Sequence, residues 1–331
     1  GAFLVATPDG IRKECYWQMK ERPPFVEKRD DAYVEGFLHH YRAAVKTRLR
    51  SRRPIGATLS AGLDSGSVTA LAAQALKQDG RFLSAFTSVP IFSAEHLLPG
   101  ALADEWPLAH SVASLYDNIV HQAIDAADVS PISGIDRSVA IMHAPLHAAA
   151  NMFWIMAVLD VVKERGIGVL LTGQMGNGGV SWSGARNRIL WLFAEGKWDE
   201  GLKAMAQWKR HCGRSWIRVT AGRLLKPLFL PHWQHIWRLA SAPDPPWGDQ
   251  SAINSGFAER IGLRQAVREK PQRRAFIQAI RPFEERCLTM IRNGAMGGPI
   301  WHATGAAFGM EVRDPTADIR LLEYCLRVPA E

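Results

Sequence analysis

The stretch from Arg52 to Gln74, RRPIGATLSAGLDSGSVTALAAQ, decides the fold. Pro54 stops whatever helix precedes it, and Ile55 to Leu59 is an apolar run of buried-strand type. Small residues follow from Ser60 to Ser65, and Gly66 to Lys77, rich in Ala, Leu and Val, has helical character. A strand that ends in such a turn gathers backbone N–H groups, from the turn and from the first turn of the next helix, around one small cavity. Such a cavity suits an anion. Gly62 permits close backbone approach, Ser60 and Ser65 offer hydroxyl donors, and Gly66 and Ser67 begin the helix. Asp64 would be repelled by a phosphate unless a cation lay between them, and magnesium, which takes one or two carboxylates together with phosphate oxygens, resolves that conflict. The plainer possibility, that Asp64 or Ser65 merely caps a helix, is outweighed by the strand-turn-helix context. Neither a G-x-x-x-x-G-K-[ST] loop nor a G-x-G-x-x-G loop occurs; the one GK pair, Gly196–Lys197, runs into Trp198.

Outward from this point, Val34, Phe37, Leu38, Tyr41, Val45 and Leu49 recur at helical spacing and predict a helix leading to residue 50. Further strands are expected at Phe82–Thr87, Asn118–Ile124 and Gly168–Thr172, with helical stretches near residues 103–115 and 147–165. Alternating strands and helices imply an α/β fold with a parallel sheet covered on both faces, and ligands then bind beyond the carboxyl ends of the strands. From residue 185 the texture becomes helical and aromatic. Between Ala185 and Ser241 there are eleven Lys or Arg against three acidic residues, with Trp191, Trp198, Trp208, Trp216, Trp233 and Trp237 interleaved. Tryptophans at helical spacing serve as core, or they grip a peptide. Basic charge with aromatics also suits single-stranded nucleic acid, but no RNA-binding motif accompanies it, so nucleic acid is the less favoured partner.

With 331 residues, 47% hydrophobic and 22% charged, the chain can bury a core and a second subdomain. The net charge of +8 suggests an anionic partner, and a nucleotide would account for part of it. Cys15, Cys212, Cys287 and Cys325 are scattered singly, which argues against a disulfide framework or structural zinc. No targeting segment is evident, and no apolar run reaches the roughly 18 residues of a membrane span, so the chain reads as cytoplasmic with no membrane partner.

The turn LSAGLDSGS resembles the pyrophosphate-binding loop, S-G-G-x-D-S, of ATP pyrophosphatases, with Ala61 in place of one glycine. Gly168 to Gly184, GVLLTGQMGNGGVSWSG, resembles the second nucleotide-site segment of the asparagine synthetase family, L-[ST]-G-E-G-x-D-E-x-F-G-G. Phe308 to Glu331 resembles that family's G-x-E-x-R-x-P-F-L-D segment, and Asp9 to Trp17, DGIRKECYW, looks like the end of its N-terminal glutaminase domain. The resemblance implies an adenine-nucleotide alpha-hydrolase-like, Rossmann-like core with a mainly helical subdomain. It divides the chain into the end of a glutaminase-like domain with a linker (1–30), the core (31–184), a Trp-rich basic subdomain (185–300) and a return to the core (301–331). It also implies an ATP-dependent amide-forming ligase in which a carboxylate is activated as an acyl-adenylate, pyrophosphate leaves, and an amine displaces AMP. By positional match Leu59, Ser88, Thr172 and Gly173 would line the adenosine site. Ser60, Gly62, Asp64 and Ser65 would hold pyrophosphate, with Asp64 and Asn177 on magnesium.

Departures from the family pattern sharpen this expectation. Residues 173–178, GQMGNG, carry none of the three carboxylates of G-E-G-x-D-E, so Asn177 offers the metal a neutral carbonyl. Gln174 stands where a glutamate would handle protons, and an amide cannot act as a base, which argues against ammonia as nucleophile. GNGGVSWSG and RDPTADIR look like the forms found in homologues that close the macrolactam ring of lasso peptides. There a peptide Asp or Glu side chain is adenylated and attacked by the peptide's own N-terminal amine, so proximity replaces an ammonia supply. Glu311 is the expected proton acceptor, paired with Arg313, unless the two form a structural salt bridge. Asp318 is expected to cap a helix. His143 and His147 read as structural or substrate-contacting. No cysteine occupies the first position, and the family's Lys-containing segment after the final LP is absent, so the chain reads as cut at both ends. The alternatives carried forward are a glutamine-hydrolysing asparagine synthase, with aspartate as carboxylate and a glutaminase domain elsewhere in the full chain, and a degenerate nucleotide-binding relative without activity.

Overall fold

A computed structural model describes residues 1–19, 25–27, 29–93, 102–144, 146, 149–181, 189–190, 192–193, 195–213, 215–225, 254–263, 265, 288 and 297–328. The chain divides into two compact units, Gly1–Trp182 with Cys287–Glu331, and Ser183–Arg286.

The first unit opens with an antiparallel hairpin of β1 (Ala2–Thr7) and β2 (Gly10–Cys15), in register from Ala2 opposite Cys15 to Thr7 opposite Gly10. Beyond it the Trp17 indole N–H donates to Glu323 Oε1 at 3.1 Å, and the Phe25 N–H donates to the Arg327 carbonyl. Then come α1 (Asp30–Arg48), β3 (Ile55–Thr58), α2 (Leu63–Gln78), β4 (Leu83–Ser88), α3 (Trp106–Ala113), β5 (Ile119–Ile124), α4 (Pro131–Met142), α5 (Met152–Glu164) and β6 (Val169–Leu171). After the second unit the chain returns as α9 (Gly297–Ala307), β7 (Glu311–Arg313) and α10 (Ile319–Cys325). The boundaries of α1 follow charge: Asp30 and Asp31 occupy its first turn, Lys46 and Arg48 its last, each complementing the helix dipole. Asp318 caps α10 as its position predicts, accepting from the N–H groups of Arg320 and Leu321. Burial opposes its ionisation, but Arg320 and Arg48 outweigh that and hold its carboxyl well below the usual range.

The five core strands are all parallel, in the order β5-β4-β3-β6-β7. Ile55, Gly56 and Ala57 are buried in succession, as are Val169, Leu170 and Leu171, because such a sheet is covered on both sides. On one side α1, α2 and α10 pack Tyr41, Val45, Val68, Leu76 and Leu321 against Ile55, Val169 and Leu171. On the other, α5 packs Met156, Leu159 and Val162 against Phe86 and Leu170, with Phe308 and Met310. The Rossmann-like α/β class read from the sequence is the observed one.

The chain leaves β3 toward β4 on one side, while β6 adds on the other. The direction of winding therefore reverses between β3 and β6, and their carboxyl ends open a crevice where ligands of such sheets bind. In the second unit α6 (Trp198–Cys212), α7 (Trp216–Thr220) and α8 (Ser255–Arg260) are helical, and Ile189, Met205 and Val219 form a small core with Trp208 against it. Trp198 and Trp216 are exposed, and Lys209 lies 5.4 Å over the Trp216 ring. Trp191, Trp233 and Trp237 fall outside the described residues, as do His147 and Cys287. Among the described residues no helix is long and apolar enough to cross a membrane.

Candidate active site at the carboxyl ends of two strands

The loop after β3 is shaped by its own hydroxyls. Ser60 Oγ lies 2.7 Å from Ser65 Oγ, Ser65 Oγ accepts from the Ser60 N–H at 3.0 Å, and Ser60 Oγ accepts from the Gly62 N–H at 3.1 Å. Gly62 precedes α2 in extended conformation and has no side chain to cap it. The helix therefore enters the crevice with its first-turn N–H groups unserved by a cap, the arrangement that receives an anion. Leu63, Asp64 and Ser65 of that turn line a cavity of about 920 Å³, together with Ser60, Gly62, Ser88, Gly173, Gln174, Asn177 and Ser181.

The loop after β6 lies directly on this turn. A methyl group on Gly173 would stand 2.8–2.9 Å from the backbone carbon of Asp64 and nitrogen of Ser65, and one on Gly176 would overlap the Asp64 carboxylate. The two loops are in contact because neither glycine carries a side chain. Ser181 Oγ donates to Asp64 Oδ2 at 3.1 Å. Below, Asp314 ties the second loop to the end of β7: its carboxylate accepts from the Met175 N–H at 2.7 Å and from the N–H and hydroxyl of Thr316. Burial raises the pKa of Asp314.

Thus Ser60, Gly62, Asp64, Ser65, Ser88, Gly173, Gln174 and Asn177 are brought to one cavity, and Leu59 touches it while packing 98% buried among Ala85, Ala109 and Ala113. Thr172 is buried behind the lining, its N–H donating to the Arg313 carbonyl at 3.0 Å. Glu311 and Arg313 are not part of this assembly. Glu311 pairs with Val169 at the amino end of β6, and its carboxylate meets the Arg313 guanidinium at 2.7 Å. Arg313 also donates to the carbonyls of Arg48 and Arg50, which precede β3. Both residues border basic clefts at the amino end of the sheet, lined in part by Lys46, Arg50, Arg52 and Arg81. The structural salt bridge is the arrangement found, and the proton-accepting role expected of Glu311 has no site there. His143 closes α4 in left-handed conformation, with φ 53°, away from the cavity lining.

Two carboxylates escaped the sequence reading. Glu105 and Asp125 line the same cavity, and Glu105 Oε2 accepts from the Ala61 N–H at 3.1 Å. A carboxylate thus occupies one anion seat of the loop. Glu105→Gln removes the competing charge, so inorganic pyrophosphate with magnesium should bind about 3- to 10-fold tighter in isothermal titration. Among the described residues no group of three or more His, Cys, Asp or Glu could hold a metal ion by itself. The donor set nonetheless fits magnesium carried on a polyphosphate, which needs one or two carboxylates and takes its other oxygens from phosphate and water.

Behind the loop, α3 presents a stack in which the Trp106 ring lies 4.2 Å from that of His121, with His110 beside both. Thr87 Oγ1 donates to the Leu59 carbonyl at 2.6 Å and lies 2.7 Å from His121 Nε2, so Nε2 must carry the proton. Burial, reinforced by the neighbouring His110, lowers the pKa of His121 to about 4. The unfolded chain binds that proton as pH falls through 6.5 and the folded chain only near 4, so stability declines across this window, by up to about 1.4 kcal/mol per pH unit. Urea midpoints at pH 7 and pH 5 should differ less for His121→Gln than for the unsubstituted protein.

The family model described as asparagine synthase matches residues 37–331. The amidase chry2 of Gibberella zeae is 23% identical over 180 residues, covering 53% of this chain and 26% of that protein. The amidase chyE of Penicillium rubens is 24% identical over 181 residues, with the same coverage. The aligned region spans about a quarter of the length of these relatives.

Proposed function

The chain belongs to the asparagine synthase family, a family of ATP-dependent amide-forming ligases, and from that premise we propose that it activates a peptide's Asp or Glu side chain as an acyl-adenylate and joins it to the peptide's own amine as a macrolactam. The observation that supports the activating half of this reading is the contact of two loops at the uncapped start of α2, where Gly173 lies on the backbone of Asp64 and Ser65; the peptide half rests on the resemblance of GNGGVSWSG and RDPTADIR to macrolactam-forming homologues.

In this reading a carboxylate oxygen attacks the ATP α-phosphorus, the bond to the β-phosphate oxygen breaks, and pyrophosphate leaves. The amine nitrogen then attacks the acyl carbon, loses a proton, and AMP departs with the electrons of the broken C–O bond. Ser60, Ser65 and the first-turn N–H groups of α2 bind the leaving pyrophosphate, where charge develops. Asp64 and Asn177 would hold magnesium, which supplies countercharge to the phosphates. Leu59, Ser88 and Gly173 would take the adenosine, with Thr172 shaping the wall from behind. Gln174 is an amide and can only orient, so the amine's proton passes to a carboxylate of the lining, Asp125 or Glu105. The two curated relatives are named amidases, which accords with chemistry at an amide bond.

The test is ATP–pyrophosphate exchange by the full-length protein. Exchange should require a peptide bearing an Asp or Glu side chain. Exchange stimulated by free aspartate, or asparagine formed from aspartate, ATP and glutamine, would replace this reading with that of an asparagine synthase.

A further inference from the structure

The cavity at the loop junction is one-sided in its chemistry. Asp64, Glu105 and Asp125 line it, and among its described lining residues there is no lysine, arginine or histidine. Ile91, Phe92 and Leu102 also line it while exposing 60%, 67% and 56% of their surface, and Trp154 of α5 and Trp301 of α9 add two indoles. Large apolar side chains gathered on one concavity mark a surface that a partner covers. The volume of about 920 Å³ lies near the top of the range of about 300–1,000 Å³ for a single small-ligand site, so a nucleotide leaves room for a second reactant.

We infer that this second reactant, on the reading proposed above, presents its carboxylate from an aromatic or aliphatic scaffold, which disfavours free aspartate. Free aspartate carries no apolar side chain to set against that lining. An apolar neighbour of the reacting group instead covers Phe92 and the indoles, and burial of that surface draws the substrate in.

Equilibrium binding separates this inference from the ligase reading. The full-length protein, saturated with magnesium and α,β-methylene-ATP, whose α,β bridge cannot be cleaved, is titrated calorimetrically with three probes: acetyl-Phe-Asp-Phe-amide, acetyl-Gly-Asp-Gly-amide and free aspartate. The aromatic peptide should bind at least about tenfold tighter than the glycine peptide, and aspartate should give no heat at millimolar concentration. Phe92→Ala, at an exposed position that folding tolerates, and Trp301→Ala should each shrink the aromatic advantage. Equal affinity for the two peptides, or aspartate binding as tightly as either, overturns the inference. Pyrophosphate exchange with the same probes reads the parent proposal. Aromatic preference in binding without exchange by any probe would defeat the ligase reading and leave this inference standing, whereas exchange driven by aspartate would defeat this inference and leave adenylation standing.

Discussion

Gly173→Ala should abolish detectable MgATP binding and lower ATP–pyrophosphate exchange by at least about 100-fold. The added methyl would meet Asp64 carbon at 2.8 Å and Ser65 nitrogen at 2.9 Å, against an ordinary contact distance of 3.4–4 Å. Both atoms are backbone in the first turn of α2, so no side chain can swing aside. Either the loop after β6 lifts or the start of the helix retreats, and each moves donors and cation ligands apart. Overpacking of this kind costs about 1–3 kcal/mol of stability, but misplacing a reacting group by about 1 Å costs about 100-fold in rate, so activity fails before the fold does. Gly66 supplies the contrast. It follows Ser65 directly near the start of α2, yet a methyl there meets nothing within 4 Å. Gly66→Ala should bind nucleotide normally and gain up to about 1 kcal/mol from helix propensity. Calorimetric titration with MgATP, alongside circular dichroism melting of both variants, checks the pair.

The contrast between these glycines also marks what could be read in advance. The turn after β3 was legible because its signals are local: Pro54, an apolar run, Gly and Ser, then an Ala-rich helix, all within 25 residues. The second loop was legible as a motif, but its contact with the first was not, since which glycine lies against which backbone depends on β6 pairing with β3. β7 gave no signal at all. Two of its three residues are charged, and it is a strand because Val169–Leu171 offers an edge to pair with. With β7 unplaced, Glu311 could be imagined near the chemistry, when its register sets it at the amino end of the sheet. Glu105 and Asp125 were missed for the same reason, being brought to the cavity by β4 and β5 rather than by any local pattern. Charge misled in a different way. The net +8 suggested that a nucleotide site accounts for part of the excess, yet the cavity's described lining is acidic, while Lys46, Arg50, Arg52 and Arg81 gather at the opposite end of the sheet.

An acidic lining around a polyphosphate site makes the cation decisive, and Asp64 is where that dependence should be largest. Asp64→Ala is expected to reduce pyrophosphate exchange by about 100- to 1,000-fold, the scale on which removal of one group that stabilises developing charge is felt. Its structural cost should be small. The side chain is partly exposed, it accepts from the Ser181 hydroxyl, and a carboxylate in the first turn of a helix contributes about 0.3–1 kcal/mol. A loss of exchange with an unchanged melting curve therefore separates chemistry from folding. Asn177→Asp tests the same site in the opposite direction. It restores a second charge beside the cation, so half-saturating magnesium should fall by about tenfold, the order expected when a neutral oxygen ligand becomes an ionised one in contact with the cation. The combination of the two substitutions distinguishes a ligand from a bystander: if Asp64 and residue 177 share one cation, Asn177→Asp should recover part of the exchange lost in Asp64→Ala at high magnesium. Simple addition of the separate effects would mean that Asp64 serves only to hold Ser181 and the second loop.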